Sequence, residues 1–524
     1  MPEGPSSPQR RKLLVTGAFV AASTIALRNL PRPGADRRPS ARADGHDRSA
    51  PPHEATEPPA LAGAAAQPDP DHVYDTVIRG GRVIDPDSGF DGVLNVGIDR
   101  GTIAGFGSSV TGGRSTIDAK GLVVSPGFID VLSYEPNPRG SWYKVADGVT
   151  TNLGMHGMQN GWKLPDFFSA YEGATPLNFG GAFSDHWVRY HELGLNVGDT
   201  ATSYQVGRLA DAFDAQLHEG WLGLALEPEY TPGVDFAEML GLAKVAARNG
   251  VPCFVHGRYA SYAQETRTVP EILRLGEQSG AAMHVAHLPS TGGTWHIDAA
   301  LAQIDAAVDA GHDVTFGLYP YDYWGTYAAS TRFSPGWKQR FRITYRDLQV
   351  AGTPNRLNAS TFATAQADNS LTVAYAIPES SVRKALEHPR SLIGSDAIVD
   401  TGNNHPRASG TFCRVLGHWV REKKVLSLTD ALAKMTILPA RRLEKRSPQL
   451  ARKGRLQRGA DADVCIFDPD TVTDRATVQR PVAYSTGIDW VLIAGEPVKK
   501  PAATTSATLQ RNRLEGKAIR SQLG

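Results

Sequence analysis

The chain has 524 residues, with 55 basic against 54 acidic side chains and a formal net charge of +1. Hydrophobic residues make up 41% and charged residues 21%, ordinary for a globular protein, and the near-neutral balance excludes the basic excess typical of nucleic-acid and membrane-surface proteins. No apolar run of about 18 residues follows the N-terminus, which excludes a multi-span membrane protein, and three widely spaced cysteines (Cys253, Cys413, Cys465) exclude a disulfide scaffold or a CxxC site.

The first elements in chain order are not part of a fold. Arg10 and Arg11 precede a diluted apolar stretch, Leu13 to Leu27, so residues 1–30 are read as an export signal of the twin-arginine type. Residues 31–71 are rich in Pro, Ala, Arg and Asp and lack apolar periodicity, so they are read as a disordered linker. From Val73 onward, short β-rich runs are punctuated by Gly and Asp at about ten-residue spacing. A matching set returns near the C-terminus, around Val464 and Val491. Residues 72–124 and 445–500 are therefore expected to pair into one small β-sandwich domain.

Between them, strand-like runs alternate with amphipathic stretches. The expected strands are Leu122–Ile129, Leu222–Leu226, Cys253–His256, Met283–His287, Asp313–Leu318 and Leu392–Ser395. The expected helices are Phe236–Asn249, Val269–Ser279, Ile297–Ala310 and Leu428–Leu438. This alternation predicts an α/β fold, either a (β/α)8 barrel or a doubly wound sheet. Polar residues at the carboxyl ends of several strands favour the barrel, over residues 125–444, and no GxGxxG or phosphate loop follows an early strand. Residues 327–390 form a long insertion between two strands and are expected to act as a lid. Residues 501–524 are expected as a C-terminal tail.

Four residues at strand ends carry the candidate chemistry: His156, His256, His287 and Asp396. Neutral imidazoles are good zinc ligands, and three of them leave a fourth position for water. Zinc lowers the pKa of such a water to about 7, and a nearby carboxylate can move its proton to a leaving amine. The set matches the minimum for metal-assisted amide hydrolysis.

The segment Ser125-Pro-Gly-Phe-Ile-Asp130 and the return Met435-Thr-Ile-Leu-Pro-Ala-Arg-Arg-Leu443, followed by Gly454 to Val464, resemble the amidohydrolase superfamily. Glu227-Pro-Glu-Tyr230, Tyr319-Pro-Tyr321, Gly394-Ser-Asp396 and the run from His405 to Leu416 are similar to its N-acyl-D-amino-acid deacylase branch, over about residues 73–500. The resemblance implies one Zn2+ per chain on His156, His256 and His287, with Asp396 as the general acid/base. It also marks departures. Val131-Leu-Ser-Tyr134 stands where the superfamily has a His-x-His metal pair. His156 stands where the branch has a cysteine ligand, and Pro289 stands where it often has a lysine.

With that lysine missing, Arg258 is the expected carboxylate anchor, with Lys144 and Arg407 behind it. Tyr230 and Tyr321 are expected to line the substrate pocket, and Tyr345, Arg346 and Arg356 of the insertion are further candidates. His284 and His287 are expected on opposite faces of one strand, with His287 facing the barrel axis. The resemblance implies an exported hydrolase of N-acyl-D-amino acids or related N-acyl or dipeptide substrates, a small-molecule partner, and no nucleic acid or membrane partner after signal removal. A cyclic amidohydrolase of the hydantoinase or dihydroorotase kind and an inactive exported binding protein on the same fold are the alternatives.

Overall fold

The computed structural model describes residues 71–156, 164–259, 261–402, 404–501 and 509–523. The expected signal and linker, apart from Asp71, lie outside the described residues. No described helix is long and apolar enough to cross a membrane.

Both ends of the folded chain contribute to one eight-stranded sheet. Its order is Glu496–Lys499, Ile488–Ile493, Val464–Phe467, Val123–Pro126, Tyr74–Asp85, Phe90–Asp99 and Thr102–Phe106, with Gly113–Asp118 also on Tyr74–Asp85. The seam between the two ends is antiparallel, with Ile466 opposite Val124. The long strand Tyr74–Asp85 shifts register between Ile78 and Gly81, where Gly80 is left-handed (φ +66°). Beyond this bulge the strand changes neighbours, from Gly113–Asp118 to Val123–Pro126. The bent sheet encloses its own core, including Val83, Val96, Phe106, Ile117, Ile466 and Leu492.

Eight parallel strands build the barrel: Phe128–Asp130, Val149–Gly154, a third broken at Ala182 (Asn178–Gly181 and Phe183–Ser184), Leu224–Leu226, Cys253–Val255, Met283–Val285, Val314–Leu318 and Ser391–Ile393. The eighth meets the first through Asp396 N–H to Leu132 O (2.7 Å) and Ser395 N–H to Asp130 Oδ1 (2.9 Å). A side chain at Gly394 would stand 2.5 Å from Leu132 Cβ, so this closure needs glycine. Side chains alternate along each strand. Phe254 faces the barrel interior with Leu153, Ala225 and Leu392, while Cys253 and Val255 face the helices.

Local chemistry sets the helix limits. For Phe236–Asn249, the Asp235 side chain accepts from Glu238 N–H, Met239, Leu242, Ala243 and Ala246 are buried, and Gly250 ends the helix at φ +67°. Two expected elements are divided. Leu122–Ile129 splits at Gly127, whose N–H bonds Asp463 O in the small domain and whose Cβ would strike Thr150. Leu428–Leu438 becomes Leu428–Met435 and Ile437–Leu443, broken at Thr436 (φ −131°, ψ −82°).

Between the seventh and eighth barrel strands, Trp324–Tyr327, Leu348–Val350 and Leu371–Ala374 form a three-stranded antiparallel sheet. The helix Glu379–Glu387 that follows belongs to the barrel's outer ring, against Ile297–Asp309. Residues 509–523 return to the folded body. Leu509 bridges Lys499, Ala518 bridges Phe179, and Ile519 is buried.

Candidate active site

The carboxyl ends of the barrel strands converge on a cavity of about 500 Å³. His156, Glu227, His256, His287 and Asp396 lie within three residues of the second, fourth, fifth, sixth and eighth strands, and all line it. His287 (φ 31°) and Asp396 (φ 50°) are in left-handed backbone conformations that turn their side chains into it.

The three histidines form the one group of candidate metal ligands found among the described residues, with ligand atoms all within 4.8 Å of one another. His156 Nε2 is 3.2 Å from His287 Nε2 and 3.4 Å from His256 Nδ1. Ligand nitrogens about 2.0–2.1 Å from a tetrahedral zinc stand about 3.3 Å apart, so the spacing fits such an ion. The other ring nitrogens are all engaged. His156 Nδ1 bonds the Glu227 carboxylate, His256 Nε2 lies 2.7 Å from Glu229 Oε2, and His287 Nδ1 lies 2.8 Å from Ser290 Oγ. These outer bonds select the tautomers that aim lone pairs at the shared centre.

Asp396 completes the group. Its Oδ1 is 3.2 Å from His156 Nε2 and accepts from the Tyr134 hydroxyl at 3.4 Å, while Arg407 Nη2 donates to Oδ2 at 3.0 Å. Burial works to raise the Asp396 pKa, but Arg407 and the histidines hold it well below the usual carboxylate range. Burial and the neighbouring His156 charge push His256 down to about 3, and burial also pulls His287 well down. Burial would lower His156 too, but Glu227 and Asp396 outweigh it and raise the imidazole to about 9. Three inner carboxylates (Glu227, Glu229, Asp396) face two guanidiniums (Arg332, Arg407), and the proton held on His156 balances the third, a charge that a bound cation would supply instead.

Residues 347–499 match the profile of an amidohydrolase family. The chain is 33% identical over 475 residues to N-acyl-D-glutamate deacylase of Alcaligenes xylosoxydans xylosoxydans, covering 80% of this chain and 93% of that protein. The chain belongs to the D-aminoacylase branch of the amidohydrolase superfamily. It is a metal-dependent amidohydrolase, acting on amide bonds. D-aminoacylase of the same organism is 26% identical over 485 residues, 82% of this chain and 96% of that protein. The fold superposes with a TM-score of 0.72, at 28% identity, on a crystal structure of N-acyl-D-glutamate deacylase from Bordetella bronchiseptica. That structure is complexed with zinc and a phosphonate mimic of the reaction's tetrahedral intermediate, and the match covers 86% of this chain and all of that one.

Of the expected substrate residues, this amidohydrolase brings Tyr230 and Arg407 to the cavity. The Tyr230 ring lies 4.8 Å from that of His256. Three others do not line it. Arg258 is spent on backbone, donating to Pro228 O (3.1 Å) and Val234 O, with Glu271 at 3.3 Å, so it braces the loop after the fourth strand. Lys144 is buried against Asp130 (2.6 Å), Ser395 Oγ (2.5 Å) and Ala397 O (2.7 Å), where it ties the first strand to the eighth. Tyr321 is fully buried beneath Arg414. Tyr345, Arg346 and Arg356 of the insertion also lie off the cavity; Arg356 stacks on Tyr375.

The opposite-face reading of His284 and His287 fails. His284 pairs with Phe254 across the strands and faces the barrel interior. His287 lies beyond the strand end, and its left-handed turn brings it to the same interior, at the mouth. Sequence reasoning also missed Glu227, Glu229, Tyr134 and Arg332. The two glutamates had a signal, acids at i and i+2 just past a strand end. Arg332 had none, because it comes from the insertion; it donates to Ser290 O (2.9 Å), reaches Glu229 at 3.4 Å, and stacks over Trp324.

Proposed function

We propose that this protein hydrolyses the acyl amide of N-acyl-D-amino acids, with preference for an acidic side chain, and works with one zinc ion per chain. One observation carries the reading: three imidazole nitrogens 3.2 and 3.4 Å apart, with a carboxylate oxygen 3.2 Å from the central one. Zinc held by His156, His256 and His287 would supply Lewis acidity for the scissile carbonyl and acidify a water. Asp396 Oδ1 faces that centre, positioned to take a proton from the attacking water and return it to the leaving nitrogen. Tyr134 and Arg407 hold the carboxylate in place.

Two guanidiniums, those of Arg332 and Arg407, line the cavity. An anionic substrate with two carboxylates suits that pair, since guanidinium binds carboxylate in two-point fashion. The name of the 33% identical relative points the same way. Tyr134 lies beside Asp396 and against the His156 ring, at 5.5 Å between centroids, and no histidine pair follows the first strand, which supports one metal rather than two. The Arg10-Arg11 leader supports the further proposal that the enzyme is exported.

Metal content of the full chain and hydrolysis of N-acetyl-D-glutamate, its L-enantiomer, N-acetyl-D-leucine and a hydantoin test the reading. One zinc with turnover of the D-acidic substrate is expected. Ring opening without acyl cleavage, or metal-loaded protein without any turnover, would overturn it.

A further inference from the structure

The catalytic cavity is larger than an N-acetyl amino acid requires. Its volume of about 500 Å³ lies in the range that encloses drug-sized ligands, and an acetylated substrate would leave much of it to water. The two guanidiniums sit deep, Arg332 at 3% and Arg407 at 7% exposure. A substrate whose carboxylates meet them, with its amide at the histidine centre, leaves the cavity mouth to its acyl group.

Two walls of that mouth run from buried to exposed, and each carries apolar side chains outward. On the insertion strand Trp324–Tyr327, exposure rises from 2% at Trp324 to 52% at Tyr327. Leu371, half-buried, lies opposite Tyr327 in the antiparallel pair, so the two side chains stand together on one face. On the barrel side, the chain leaves Asp396 through Ala397 and half-buried Ile398 to exposed Asp400. Ile398 rests on Gly140, where a Cβ would stand 2.5 Å from the Ile398 Cγ1. Tyr327, Leu371 and Ile398 all line the cavity, and each keeps surface open to it. Of the large apolar side chains left exposed among the described residues, only Tyr327 lines the cavity.

We propose that the rim of Tyr327, Leu371 and Ile398 holds a large apolar acyl group, so that the preferred substrate carries a medium-length alkyl acyl chain rather than acetyl. This assignment rests on the deacylase reading above and adds the acyl end to it. Steady-state kinetics of the zinc-loaded full chain on N-acetyl-, N-butanoyl- and N-hexanoyl-D-glutamate test it. A fully buried methylene contributes a factor of about four, and one on a half-exposed rim about two. Binding energy from such a remote group appears in kcat/KM, which should therefore rise at least about tenfold from acetyl to hexanoyl. Tyr327→Ser and Ile398→Ser should each lower the hexanoyl-to-acetyl ratio by about threefold or more. That ratio does not depend on the fraction of enzyme folded, so a poorly folding variant still reports it. Tyr204→Ser, at an exposed tyrosine off the cavity, should leave it unchanged. A flat or falling series with acetyl turned over would overturn the rim assignment and leave the deacylase reading standing. So would a rising series that neither rim variant flattens. No turnover of any member would overturn both.

Discussion

Replacing Glu227 isolates the part of the metal centre that lies outside the ligands themselves. The His156 side chain is only 4% exposed, and its Nδ1 bonds the Glu227 carboxylate. Glu227→Leu removes both the acceptor and the negative charge. The stranded N–H costs about 1–3 kcal/mol, and losing such an outer partner typically weakens metal binding by about 10- to 100-fold. Zinc affinity should therefore fall about 100-fold, or about 2.7 kcal/mol. Glu227→Gln keeps an acceptor and loses only the charge, so about tenfold is expected. Ser290→Ala removes an uncharged partner of His287 and should cost no more than that. Competition between apoprotein and a chromophoric zinc chelator measures all three, with circular dichroism to confirm the fold. Wild-type zinc affinity in a folded Glu227→Leu variant would refute the assignment of Glu227 to the centre.

Asp396→Asn should lower kcat by about 10²- to 10⁴-fold while zinc stays bound, because the variant cannot carry the proton; metal analysis beside steady-state kinetics checks this. Arg332→Gln should raise KM for an acidic N-acyl-D-amino acid more than for a neutral one, and an equal rise for both would remove Arg332 from substrate recognition. Asp147 is raised to about 7, chiefly by burial, despite hydrogen bonds from Phe412 N–H, Cys413 N–H and Ser485. Its folded form holds the proton more tightly than its unfolded form, so its contribution is fully present below about pH 4 and is lost as pH rises through 7. The fall in Tm over that window should flatten in Asp147→Asn.

The legible part of this fold was the part written in periodicity. The fourth to seventh barrel strands and the helices between them carry apolar runs bounded by Gly and Asp, and the observed limits lie close to the expected ones. The third strand was not anticipated, because Asn178–Gly181 reads Asn-Phe-Gly-Gly and lacks the β-branched residues that mark a strand. The site divides in the same way. Histidines and an aspartate at strand ends are visible because strand ends in a barrel converge. Arg258 misled because position at a strand end does not say which groups a long side chain will meet, and here backbone carbonyls reach it first. Arg332 was invisible because only the folded insertion brings it over the barrel mouth.

Lys144 shows how the framework fixes the chemistry it does not touch. Asp396 sits at φ 50°, a conformation that costs a non-glycine residue about 1–3 kcal/mol and persists only where its surroundings impose it. Two restraints impose it: Asp396 N–H is held by Leu132 O, and Lys144 clamps Ser395 Oγ and Ala397 O, the residues on either side, to Asp130 of the first strand. The Lys144 and Asp130 side chains are 2% and 0% exposed. Lys144→Met should therefore leave Asp130 as an unpaired buried charge and destabilise the protein by about 3–5 kcal/mol. It should also release the backbone around Asp396, so kcat should fall in the fraction that remains folded, while zinc affinity, set by three other strands, stays near wild type. Urea denaturation, kinetics and zinc competition on the one variant separate these effects. A loss of zinc affinity as large as the loss of kcat would mean that Lys144 supports the whole barrel mouth rather than the Asp396 turn.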